Sequence, residues 1–148
     1  MGISFNTMVL RTPSGFLKLL EIILVFIILI LVRFVFEHEY IFGSTDMKFI
    51  GIGTIVGYSI IVPCVLLTYM LGSNMSILEL FINLIGSILF IVIGAIVIQT
   101  YSGCRRRGQC NDGLALGSLC IVSGVLFLID FLFAIRSTRI TIIHTRHI

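Results

Sequence analysis

Charge is what this sequence has least of. Its 148 residues include ten Lys or Arg and seven Asp or Glu, 11% against about 25% in an ordinary soluble domain. So few charges cannot furnish the polar shell that a water-soluble fold of this size needs. Four cysteines are too few for a disulfide-dense secreted miniprotein. A net charge of +3 is too weak a basic excess to suggest nucleic acid as a partner. There is no sequence repeat and no low-complexity tract. What is present is apolar: 58% hydrophobic residues and a mean hydropathy of +1.18. A single domain dissolved in lipid is the class these numbers leave.

Crossing about 30 Å of hydrocarbon takes about 20 mostly apolar residues in a helix. Four segments are long enough, 16–36, 49–71, 77–100 and 113–135, with tails over 1–15 and 136–148. All are longer than strands, and the short alternating segments of a membrane barrel are absent. The expected fold is therefore all-α, a four-helix transmembrane bundle with both tails on one side. Pro13-Ser14-Gly15 precedes the first span and Asp46 the second. Ser76 and Glu79 form a capping box for the third, Gly72 and Gly103 fall where helices should stop, and Asn111-Asp112 can cap the fourth. Pro63 should kink the second helix and free a carbonyl. The first span is too long for a signal peptide and lacks a cleavage site.

Five basic residues flank each side, so the positive-inside rule does not orient the chain. Cys104 and Cys110 bound a short loop containing Arg105, Arg106, Arg107 and Gly108. Outside the cell that spacing suits a small disulfide ring, whereas inside it the thiols would be reduced or palmitoylated. Their place at the tip of a helical hairpin favours the outward reading. The arginine triplet is then either a solvated charge run or a cationic contact for a partner across the gap.

Ionisable groups inside lipid are the usual pointer to function. Lys18, Glu21, Glu79 and Asp130 all fall near the tail-side end of their spans and none reaches the midplane. They read as membrane-edge ion pairs, with Lys18 meeting Glu21 or Asp130 and Glu79 capping its own helix. Small residues make a stronger pattern. Gly53 and Gly57 form one GxxxG motif, Gly113 and Gly117 another that Gly124 extends, and the third span offers Gly86 and Gly94. Such residues let helices approach closely, within the bundle or between copies of the chain. Cys64 and Cys120 lie in apolar runs as inert packing residues. No zinc set, phosphate loop or Ser-His-Asp arrangement can be assembled, so neither catalysis nor a cofactor is expected.

Several stretches resemble known tetraspans. The entry Gly15-Phe-Leu-Lys-Leu-Leu-Glu21, the acidic start of span three with Asn83, and Asp130 late in span four are similar to MARVEL-type proteins. More particularly, Ile28–Arg33, Gly53–Tyr58, Asn83–Ala95 and Leu114–Gly124 resemble the snakeskin family of invertebrate smooth septate junctions. That resemblance implies cytoplasmic tails, outward loops and a role in the paracellular barrier at cell–cell contacts. It implies another tetraspan and a single-span adhesion protein as partners, besides membrane lipids. Vesicle sorting, the other habit of MARVEL relatives, is the alternative. The Cys104–Cys110 loop departs from the family.

Overall fold

The computed structural model describes Met8 and residues 11–34, 45–72, 76–103 and 107–146, with only the backbone described at 14, 76, 107–109 and 137–145. The described residues form four α-helices and no strand: α1 (Pro13–Phe34), α2 (Thr45–Met70), α3 (Ser76–Tyr101) and α4 (Arg107–Arg146). Each contains a stretch long and apolar enough to cross a membrane. The chain is an integral membrane protein of the tetraspan class.

Helix limits follow local chemistry. Pro13 belongs to α1 instead of preceding it, because proline is tolerated at the first helical position. Thr12 caps it, its Oγ1 accepting the Gly15 N–H at 3.2 Å. At the other end of the first hairpin α2 stops as expected. Gly72 takes φ +83° and its N–H reaches the Tyr69 carbonyl at 3.0 Å. α4 differs most from expectation. It starts at Arg107, placing Asn111 and Asp112 a turn inside the helix and not at its cap. Its backbone also stays helical through the tail segment 136–146, since no proline or glycine after Gly124 interrupts it, while its membrane-length stretch ends at Arg136. The loop before it is correspondingly shorter than the sequence suggested.

α3 and α4 pack most extensively, α1 touches both α2 and α4, and α2 meets α3 least. The helices therefore occupy the corners of a square in cyclic order, with α1 diagonal to α3. Val25, Ile28, Ile55, Val62, Phe90, Val97, Leu116 and Phe127 fill the middle. Large apolar side chains also cover the outside of every helix, among them Ile60, Ile88 and Leu132. That surface suits lipid tails and would aggregate in water. Cys120 is buried as expected, but Cys64 lies exposed on the outer face of α2 and packs in no core.

Candidate functional site

The polar residues of the spans converge. Taking 1.5 Å per residue, Lys18, Glu21, Glu79, Asn83 and Asp130 lie about 3–9 Å inside the tail-side ends of their spans. Two lie on one face of α1 at i and i+3, two on one face of α3 at i and i+4, and Asp130 projects from α4. All five side chains are buried, Lys18 and Asp130 being 1% exposed and Glu21 and Asn83 0%.

Lys18 is the hub. Its ammonium Nζ donates to Glu21 Oε2 at 3.3 Å, to Asn83 Oδ1 at 2.8 Å and to Asp130 Oδ2. An ammonium has three N–H groups, and these acceptors take all three. Glu79 Oε1 lies at 3.6 Å, close enough for a charge contact only. Asn83 closes a ring, its Nδ2 donating to Asp130 Oδ2 at 3.2 Å. Sequence reasoning placed Lys18 with Glu21 or Asp130, whereas the structure brings both to it at once. Glu79, expected to serve its own helix end, points into the same cluster. Asn83 entered the sequence reading through the family resemblance alone, and not as a polar group of this cluster. Its spacing from Glu79 and its shared depth with Lys18 are the clues that could have found it.

Next to this cluster Tyr58 of α2 donates its hydroxyl to the Ile82 carbonyl of α3 at 2.8 Å. Its ring meets Phe90 edge-on at 5.5 Å and Phe127 at 5.3 Å, and those two rings stack at 5.5 Å. Such aromatic pairs add about 0.5–1.5 kcal/mol each beyond area burial. Gly86 makes room for the tyrosine, since a Cβ there would lie 2.7 Å from Tyr58 Cε1.

The two GxxxG motifs part company. Along the α3–α4 seam an added Cβ at Gly94 would meet the Gly117 carbonyl oxygen at 2.8 Å. One at Gly117 would meet the Gly94 oxygen at 3.1 Å, and one at Gly124 the Ser87 oxygen at 3.1 Å. Gly113 lies under the Tyr101 ring. At Gly53 and Gly57, by contrast, an added Cβ meets nothing within 4 Å. Of the two readings, packing within the bundle or between copies, the first finds no neighbour at this pair, because Ile55, Tyr58 and Val62 take the inward face of α2. The Ser59 hydroxyl, a turn before Pro63, donates to the Val56 carbonyl at 2.6 Å.

Of the loop between α3 and α4, Cys110 is disulfide-bonded and sits within the first turns of α4. Cys104, Arg105 and Arg106 lie outside the described residues, and Arg107 opens α4 with only its backbone described. Among the described residues no group of His, Cys, Asp and Glu side chains is arranged to hold a metal ion.

No family model and no solved structure matches the chain. Two curated proteins do. Protein snakeskin of Bombyx mori is 28% identical over 86% of this chain and 89% of its own length. Protein snakeskin of Drosophila melanogaster is 25% identical over 82% of this chain and 87% of its own. These alignments take in most of both chains, well beyond a single apolar helix. The chain is a homologue of the snakeskin proteins.

Proposed function

We propose that this protein is a non-enzymatic component of the smooth septate junction, residing in the plasma membrane at cell–cell contacts and helping to build the paracellular barrier. The observation that carries this reading is homology to snakeskin proteins over most of the chain. The physics of the bundle is compatible with a scaffold. Its buried ionisable side chains lie toward one end of the spans and hold helices together, and among the described residues no row of them leads across the membrane. Assembly would then use two surfaces. Side to side, the outward Gly53/Gly57 face of α2 offers a neighbouring helix, in this or another tetraspan, a close approach. Across the intercellular gap, the loop bearing Arg105, Arg106 and Arg107 offers a compact cationic contact to an adhesion partner.

Localisation in a polarised epithelium, combined with a paracellular tracer after depletion, tests this. The expected result is protein at lateral contacts and a leak that appears without delay in vesicle delivery. Protein confined to internal vesicles, with delivery failing before the barrier does, would replace the junctional reading with membrane sorting.

A further inference from the structure

We propose that the buried cluster is a proton-binding site, in which Glu21 is neutral and keeps its proton while the bundle is folded. The inference goes beyond the junctional role and does not depend on it. It starts from a charge count. One ammonium, Lys18, faces three carboxyl groups, Glu21, Glu79 and Asp130, in an interior closed to water. An unpaired carboxylate is far too costly in such surroundings, and the inexpensive remedy is to take up a proton.

The surroundings of each carboxyl say which one does so. Asp130 Oδ2 receives both the Lys18 ammonium and the Asn83 amide, so two donors already face it. Glu79 stands in the first turn of α3, where the positive end of the helix dipole favours a negative charge. Glu21 is past the first turn of α1 and fully buried. It receives one long contact from Lys18 through Oε2, and its Oε1 has no donor at all. From α2, the titratable group facing the cluster is the Tyr58 hydroxyl, which is committed to the Ile82 carbonyl and gives Glu21 no proton. A metal ion is not the alternative ligand, because the Lys18 ammonium already occupies the centre that a cation would take.

Infrared spectroscopy of the full chain in lipid bilayers, with and without carboxyl-13C glutamate, tests the assignment. The expected spectrum at neutral pH contains the carbonyl stretch of a protonated carboxylic acid, which shifts with the labelled glutamate and disappears in Glu21→Gln. Absence of that band, failure to shift, or persistence in Glu21→Gln overturns the proposal. If Glu21→Gln does not fold, the labelled wild type still tells glutamate from Asp130, and Glu79→Gln, which should keep the band, tells Glu21 from Glu79; loss of the band in Glu79→Gln overturns the proposal. Stability supplies a second reading. The unfolded chain, with glutamate near its ordinary pKa of about 4.3, has lost at neutral pH a proton that the folded chain keeps. The unfolded state therefore binds fewer protons, and stability falls as pH rises. From the ordinary glutamate range upward, the folded-to-unfolded ratio in detergent should fall about tenfold more per pH unit in wild type than in Glu21→Gln. The variant should be at least as stable as wild type at neutral pH. Equal slopes, or a less stable variant, count against the site.

Discussion

Replacing Gly94 by alanine should weaken the bundle, while the same change at Gly53 should not. The difference follows from what each new methyl group meets. At Gly94 the Cβ lands 2.8 Å from the Gly117 carbonyl oxygen and 3.1 Å from the Ile121 nitrogen, both backbone atoms. Ordinary contact begins at 3.4 Å, so the nearer one is short by about 0.6 Å. The Cβ also lies 2.6 Å from Ile121 Cγ1, and a β-branched side chain in a helix has little rotamer freedom with which to retreat. α4 must therefore move away from α3 along their longest seam. Overpacking of this kind costs about 1–3 kcal/mol, against at most about 1 kcal/mol gained by removing glycine from a helix. We expect Gly94→Ala to lose about 1–2 kcal/mol. Gly53→Ala, with nothing within 4 Å of its Cβ, should lose nothing and gain up to about 1 kcal/mol. Reversible unfolding of the micelle-solubilised monomer, followed by helix signal against denaturing detergent, measures both. Equal stabilities for the two variants would refute the argument that the seam is set by backbone proximity.

Two further variants probe the polar interior. Lys18→Met leaves three carboxyl groups and Asn83 around an apolar side chain, and loss of one partner from a buried ion pair costs about 3–5 kcal/mol. The expected result is aggregation or an expanded species in gel filtration at neutral pH, partly reversed by adding Asp130→Asn; a Lys18→Met protein as stable as wild type would refute the hub. Ser123 is fully buried and its hydroxyl has no hydrogen-bond partner, so Ser123→Ala should raise stability by about 1 kcal/mol in the same unfolding assay, and a comparable loss would mean the hydroxyl is engaged.

The existence of four spans was plain in the sequence because lipid imposes a length that no soluble element reaches by chance. Where α4 begins and ends was less plain. Asn111-Asp112 looks like a cap and Arg136 like a stop, yet neither prevents a helix from extending when its backbone bonds can continue. Which glycine motif packs inside was not legible at all. In water an amphipathic stripe marks the buried face, but a membrane helix is apolar on both sides, so Gly53/Gly57 and Gly113/Gly117 look alike until neighbours are placed. The cluster was half visible. Equal depth suggested that Lys18, Glu21 and Asp130 could meet. Glu79 was hidden by a sufficient local explanation, its position three residues into a helix, and Tyr58 by the absence of any charge.

These features give the bundle an unequal construction. α3 and α4 are held by close backbone approach over Gly94, Gly117 and Gly124, an interaction that is weak per atom but extends along the seam. α1 and α2 have no such seam with α3, and in lipid no hydrophobic force drives them inward. Each is tied instead by one polar anchor: α1 through the Lys18 ammonium, α2 through the Tyr58 hydroxyl and the ring beneath it. A hydrogen bond in hydrocarbon is directional and has no water to replace it, so one well-placed donor can fix the rotation of a whole helix. The anchor on α2 turns Tyr58 inward and thereby turns Gly53 and Gly57 outward. The helix that meets α3 least is thus the one whose small-residue face is presented to the membrane, as the side-to-side assembly we propose requires.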